Sequence, residues 1–262
     1  MVRRQEAKYQ GMKIAEDHEL QSYVEAGLYD DLSPEAIAGQ INNRKKHLRP
    51  VSKDSIRRWI KSVYGRRFEY YRNKRKRRRY WRRRNTSDKL KDRVFIDKRP
   101  KSINQRKRIG DVESDFMVSG KTGKGIILNV TDRKSRIVFL ELIVEVAIEN
   151  VHLSFMRIKK RFPELKTMTT DNDILLRKHK ELEKLLNVKI YFCDPYSSWQ
   201  KGTVENSNKY VRRDIPKSSN LSKYSKRFIK AIEQKLNRRP LKCLGYKTPQ
   251  EVLDRYRKRK KH

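Results

Sequence analysis

The stretch IGDVESDFMVSGKTGKGIILNVTDRKSRIVFLELI, Ile109–Ile143, decides how the rest of the chain is read. It holds three short runs rich in Val, Ile, Leu and Phe: IGDVESDFMV, then GIILNV from Gly125, then SRIVFLELI from Ser135. Turn residues separate them, so the pattern predicts three successive strands joined as hairpins. GKTGKG, from Gly120 to Gly125, supplies the tight turn between the first two. Working outward, Ile148, Val151, Phe155, Ile158 and Phe162 recur at helical spacing and predict a helix over Ala147–Phe162. LKTMTT, ending just before Asp171, predicts a short fourth strand. Arg177–Leu186 predicts a helix, with Leu182, Leu185 and Leu186 on its apolar side. VKIYF, from Val188, predicts a fifth strand, and the segment after it leads into another helix.

Three hairpin strands followed by helix, strand, helix, strand and helix is the ribonuclease H-like order. The expected class is therefore α/β, a mixed sheet with flanking helices. Near the C-terminus, LNRRP (Leu236–Pro240) ends one helix and Thr248-Pro249 opens another. Both are expected to close the core.

On the N-terminal side lies a small all-α module. In LSPEAIAGQI, Ser33 is placed as an N-cap with Pro34 at the first helical position. Ile37 and Ile41 share one face. After a basic connection, Ser52 caps a second helix whose Ile56, Trp59 and Ile60 form the apolar face. Lys53, Ser55, Arg57 and Arg58 are expected to point outward. EDHELQSYVEAGLYD, from Glu16, predicts a further helix of the module. The arrangement suits a helix-turn-helix that reads the major groove. An ordinary helical hairpin fits the same pattern, but the neighbouring charge favours a DNA reader.

That charge is extreme. The chain has 262 residues with 68 Lys+Arg against 31 Asp+Glu, a formal net charge of +37. Between Arg72 and Arg84, RNKRKRRRYWRRR holds ten Lys/Arg in thirteen positions. Such a block cannot bury itself and reads as a linker that tracks phosphates, with Arg75, Arg77, Arg78, Arg82 and Arg83 as candidate contacts. Tyr80 and Trp81 within it could stack on bases or pack on a neighbouring domain. Self-repulsion at this density calls for a polyanionic partner, and nucleic acid is the obvious one. The expected organisation is a helix-turn-helix module over 1–64, a basic linker over 65–106 and a core with C-terminal helices over 107–262.

Composition also excludes function classes. No apolar run reaches the roughly 18 residues of a membrane span; the longest, Ile137–Ile148, is broken by Glu141 and Glu145. The N-terminus, MVRRQEAKYQ, has no secretory signal. Cys193 and Cys243 are too few for a disulfide framework or zinc module, so a reducing, cytoplasmic location is expected. His152 and His179 lack partners at zinc-binding spacing. No Gly-rich nucleotide loop is present, and no nucleotide cofactor is expected.

In so basic a chain the acids on core strands need a reason. Asp115 lies mid-strand, Asp171 closes the fourth strand, and Glu205 stands at the start of the following helix. Asp111 and Glu113 share a strand face with Asp115, and Asp173 competes with Asp171, so position alone leaves the first two choices open. Asp132 could pair with Arg133 or Arg136. Converging carboxylates repel one another, and divalent cations remove that penalty. Mg2+, a hard ion, takes a few carboxylates plus substrate phosphate oxygens, and two such ions can drive an in-line displacement at phosphorus.

GDVESD (Gly110–Asp115), TDRKSR (Thr131–Arg136), VKIYFCDPYSSWQKGTVENSN (Val188–Asn208), LNRRPLKCLGYKTPQEV (Leu236–Val252) and SPEAIAG (Ser33–Gly39) carry a resemblance. From about Ser33 to Leu253 the chain resembles transposases of the insertion sequence 30 family, which share a catalytic core with retroviral integrases. The resemblance implies a DDE triad that cuts at the ends of a mobile element and joins them to target DNA. Residue by residue, the triad falls on Asp115, Asp171 and Glu205. It also implies two Mg2+ or Mn2+ ions, Asp115 bridging both, with Asp171 on one and Glu205 on the other. Double-stranded DNA and a second copy of the chain are the expected partners, in a bacterial, nucleoid-associated setting.

Three departures stand out. Val112 occupies a position where the family usually has Trp. Asp173 occupies a usual Gly, putting a side chain where the backbone is expected to turn with positive φ. The helical module begins early, so the chain is expected to be truncated at its N-terminus relative to the family. Around Glu205, Gln200, Lys201, Lys209 and Arg212, with Arg213, are candidate DNA contacts. Trp199 either packs the loop that positions Glu205 or touches DNA, and packing is the expected role. Two rival readings are a remnant that binds DNA without cutting it and a basic structural RNA-binding protein. A nuclease of RNA–DNA hybrids would have no use for the N-terminal module.

Overall fold

The computed structural model describes residues 12–68, 90, 92–120, 123–194 and 197–261. The basic run with Arg75, Arg77, Arg78, Tyr80, Trp81, Arg82 and Arg83 lies outside the described residues. So does part of the Gly120–Gly125 turn. The chain divides into two compact units, one drawn from 1–83 and 239–248, the other from 84–238 and 249–262. Among the described residues, no helix is long and apolar enough to cross a membrane.

The first unit is helical. Asp17 accepts a hydrogen bond from the Leu20 amide and starts α1 (His18–Tyr29). Ser33 accepts from the Ala36 amide and Pro34 opens α2 (Pro34–Arg44). Ser52 accepts from the Ser55 amide and starts α3 (Lys53–Lys61). Leu20, Val24, Ile37, Ile41, Ile56, Trp59 and Ile60 form its core. The α2–α3 connection is pinned by one side chain: Asn42 donates to the Val51 carbonyl at 3.0 Å and accepts from its amide at 3.1 Å. Gly39 on α2 is required by a close approach, because a Cβ there would stand 1.9 Å from the Tyr246 ring. Lys53, Arg57 and Arg58 are exposed, as the α3 pattern predicts, whereas Ser55 is half-buried.

The second unit is built on a five-stranded sheet in the order β3-β2-β1-β4-β5. The strands are β1 (Asp111–Val118), β2 (Ile126–Asp132), β3 (Val138–Ile143), β4 (Thr167–Thr170) and β5 (Lys189–Phe192). β1, β2 and β3 are antiparallel neighbours, whereas β1, β4 and β5 run parallel. The unit's longer helices are α4 (Ile148–Arg161), α5 (His179–Leu186), α6 (Gly202–Asp214), α7 (Lys226–Asn237) and α8 (Pro249–Lys261).

Alternation sends the two sides of each strand to different cores. Val112 and Phe116 of β1 join Leu128, Phe139, Phe155, Ile158, Phe162 and Leu182 on the α4–α5 face. Met117 joins Ile127, Leu140, Val211, Ile229 and Ile232 on the α6–α7 face. Glu113 and Asp115 share the side of Met117, so β1 presents its acids beneath α6. Both outer strands carry cover. On β3, the Asn237 side chain accepts from the Val138 amide and donates to its carbonyl, both at 2.8 Å. Glu233 accepts from the Leu140 amide at 2.7 Å. On the opposite side, the Phe192 amide of β5 donates to the Val94 carbonyl at 2.8 Å, and Phe95 bridges to Phe192.

Candidate active site

β1 and β4 pair in parallel with Glu113 opposite Thr169. Continuing that register by two residues sets Asp171 level with Asp115, with both side chains on the same side of the sheet. One ammonium joins them: Lys201 Nζ lies 2.8 Å from Asp115 Oδ1 and 3.3 Å from Asp171 Oδ2. Lys201 is only 4% exposed. It closes a single helical turn, Ser198–Lys201, immediately before α6.

α6 supplies the other partners. Asn208 donates to Asp115 Oδ2 at 2.6 Å and accepts from the side-chain Nδ2 of Asn129 on β2 at 2.7 Å. Glu205 precedes Asn208 by three residues on α6, a spacing that puts the two on neighbouring positions of one helix face. It is half-buried there.

The remaining acids of β1 are already engaged. Asp111 takes the Arg108 guanidinium, with contacts of 2.9 to 3.2 Å, and the Thr167 hydroxyl at 2.7 Å. Glu113 accepts from the Thr203 and Val204 amides at 2.7 and 3.0 Å and from the Thr203 hydroxyl at 3.1 Å. It thus holds the start of α6, where exposed amides and the helix dipole favour a carboxylate. Arg133 stands 3.2 Å away as its counter-charge. Behind it, Arg99 donates to Thr169. Burial, helped by the Arg133 charge, lowers the Arg99 pKa to about 10.

The electrostatics are those of crowded acids. Burial pushes the Asp171 carboxyl above the usual carboxylate range; Lys201 opposes this, while Asp115 and Asp173 add to it. Asp173 is raised by burial, against the Leu175 amide, with Asp115 adding to the rise. Burial acts to lower the Lys201 pKa, but the Asp171 and Asp115 carboxylates outweigh it and hold the ammonium above the ordinary lysine range. Asp171 Oδ1 is buried with no hydrogen-bond partner. An orphaned carboxylate oxygen beside two further acids is a donor set that suits a hard divalent cation. Among the described residues, no three His, Cys, Asp or Glu side chains converge tightly enough as placed to hold a metal ion. The cation at this point is the lysine's own.

Three expectations are corrected, those for Asp173, Asp132 and Trp199. Asp173 has φ −76°, not a positive φ, and caps the turn Ile174–Leu176 by accepting from the Leu175 amide at 2.9 Å. The position therefore does not need glycine. Asp132 does not pair with Arg133 or Arg136; it accepts from the amides of Gly110, Lys134 and Ser135 and from the Ser135 hydroxyl. Trp199 does not pack the loop, since it is 74% exposed. Gln200 is bonded to Asp194 through both its amide atoms. Arg212 donates to the Val118 and Pro216 carbonyls, while Lys209 and Arg213 are exposed. The roles of Glu113 and Asn208 escaped the sequence reading; their signal was a carboxylate and an amide at the same alternation and helical spacing as the acids already chosen.

No protein-family model matches the chain. It is 38% identical over 226 residues to the transposase for insertion sequence element IS4351 of Bacteroides fragilis, covering 84% of this chain and 68% of that protein. It is 35% identical over 165 residues to transposase InsI for insertion sequence element IS30A of Escherichia coli strain K12, covering 61% of this chain and 42% of that protein. The chain thus spans about two thirds of the first relative's length and less than half of the second's. Among solved structures, the catalytic core domain of BIV integrase superposes with a TM-score of 0.43 at 18% identity, covering 58% of this chain and 99% of that one.

Proposed function

Because the chain belongs to the insertion sequence 30 family of transposases, we propose that it cuts DNA at the ends of a mobile element and joins those ends to target DNA, with Asp115, Asp171 and Glu205 as its catalytic acids. One observation carries this assignment: Asp115 and Asp171 share a single cation from adjacent parallel strands, and Glu205 stands one turn before Asn208, which reaches Asp115. The three acids would hold Mg2+ or Mn2+. Such ions activate a water or a 3′-hydroxyl and stabilise the leaving oxygen of an in-line displacement at phosphorus.

The chain's own residues prepare the site. Glu113 fixes the start of α6 and so sets the height of Glu205. Asn208 holds the second oxygen of Asp115 and orients the carboxylate. Exposed Lys209 and Arg213 on α6 offer charge to the phosphate backbone. Lys53, Ser55, Arg57 and Arg58 on α3 are assigned to reading the terminal inverted repeats. Arg75, Arg77, Arg78, Arg82 and Arg83 are assigned to flanking phosphates. Strand transfer exchanges one phosphodiester for another and needs no nucleotide cofactor. Handling two ends together calls for a homo-oligomer working on nucleoid DNA in the cytoplasm.

The test is a cleavage and strand-transfer assay on DNA carrying the element ends, with Mg2+. Asp171→Asn and Glu205→Gln should each lose about two orders of magnitude in rate or more, the scale on which removing one electrostatic stabiliser of a transition state is felt. Both should retain end binding in gel shifts. Wild-type rates in both variants would remove the assignment. The Lys201 ammonium between the aspartates supports one rival, a chain that binds ends without cutting; it predicts the same gel shifts and no Mg2+-dependent nicking.

A further inference from the structure

Lys201 does not behave as a surface DNA contact. Its ammonium is buried and spans the two aspartates that the proposed reaction needs. With those contacts made, a divalent cation cannot sit on the same oxygens, since like charges would then be packed into one small pocket. Without them, two adjacent carboxylates and the nearby Asp173 would repel. We propose that Lys201 is a tethered counter-ion: it neutralises Asp115 and Asp171 in the DNA-free protein, and it moves to a DNA phosphate as a divalent cation takes its place. This rests on the metal-dependent reading above.

The local structure suits such an exchange. The lysine stem has four rotatable carbons, and its ammonium binds phosphate as a compact point charge. Two residues before it, Trp199 is exposed, so one turn of chain presents solvent at one end and the carboxylates at the other. The next residue is Gly202, where a Cβ would meet nothing within 4 Å. The space beside it is open, and the exchange needs only rotation of the Lys201 side chain. Asn208 and Glu113 do not move with the lysine, because their bonds run to α6 and the sheet. The carboxylate frame stays fixed while the cation changes.

The exchange couples two ligands. DNA, by drawing Lys201 away, raises the affinity for the divalent ion, and the ion raises the affinity for DNA by the same factor. The free enzyme is thereby kept from loading metal before substrate arrives.

The test measures Mn2+ binding by the loss of the free-ion electron paramagnetic resonance signal, in full-length protein, with and without end DNA. In wild type, DNA should tighten Mn2+ binding on the order of tenfold. Lys201→Met should bind Mn2+ about that much more tightly without DNA, and DNA should then tighten it less than it does in wild type. Lys201→Arg, whose fork pairs more firmly with two carboxylates, should bind Mn2+ more weakly than wild type and covers the case in which Lys201→Met does not fold. Unchanged or weaker Mn2+ binding in folded Lys201→Met, or unchanged or tighter binding in Lys201→Arg, would overturn the exchange. Asp171→Asn separates this from the underlying reading. If it abolishes Mn2+ binding while the lysine variants behave as wild type, only the exchange fails; if it leaves Mn2+ binding intact, the metal reading fails.

Discussion

Glu113 is the residue on which the geometry around Asp115 turns. It lies in the middle of β1 with its carboxylate spent on the first amides of α6 and on Arg133. Truncating it leaves a buried guanidinium unpaired and a helix start without an acceptor. Glu113→Ala should therefore cost about 3–5 kcal/mol, the range for breaking one side of a buried pair, read as a shift in the urea midpoint. Asp173 offers a pH signature. Its carboxyl is raised above the usual 3.8 by burial, so the folded protein holds this proton more tightly than the unfolded chain does. The associated stability is fully present below pH 3.8 and is lost as pH rises through the higher folded value. Asp173→Asn keeps an acceptor for the Leu175 amide and cannot ionise. It should match wild type in acid and exceed it at neutral pH, as urea midpoints at the two pH values will show. Cys193 is buried, and that burial pushes its thiol pKa up to about 12, whereas Cys243 is exposed. A thiol reagent at pH 8 should label Cys243 rapidly and Cys193 only on unfolding. At this scale the sequence was half legible. Alternation put Asp111, Glu113 and Asp115 on one face, but choosing among them needed partners such as Thr167 and Thr203, far along the chain. Lys201 could not be separated from a surface lysine for the same reason.

Elements were the most legible level. Ser33 and Ser52 were found as caps because capping is local: the acceptor and the amide it satisfies are three residues apart. The five strands and their succession with helices along the chain followed from period and turn residues. What stayed hidden was how an element ends a sheet. α7 carries Glu233 and Asn237 one helical turn apart, and together they satisfy the backbone of β3, an edge strand. Nothing in LNRRP distinguishes such an asparagine from a solvent-facing one. Asn237→Leu should leave the Val138 amide and carbonyl buried without partners, costing about 1–3 kcal/mol. Hydrogen exchange at Val138 should accelerate well beyond that at β1 amides, and equal protection would show that Asn237 is dispensable to the edge.

For the whole molecule, charge was the first and clearest message. A net +37 pointed to a polyanion before any element was placed, and the transposase relatives agree with that partner class. If about ten phosphates are neutralised on binding, the logarithm of the DNA association constant should fall against the logarithm of salt with a slope near −9. A slope near zero would mean that the basic surface is not the contact. Charge could not reveal the acidic centre, because three carboxylates are lost in a count of 31 Asp+Glu against 68 Lys+Arg.

The sealed margins of the sheet bear on how copies of this protein can meet. With side chains of α7 on the backbone of β3 at Val138 and Leu140, and the Val94–Phe95 segment beside Phe192 of β5, these positions are closed to a neighbour's strand that would extend the ladder. In the homo-oligomer proposed above, protomers would then meet at these edges through helix surfaces or through the bound duplex, and contacts of that kind could be undone with each subunit intact.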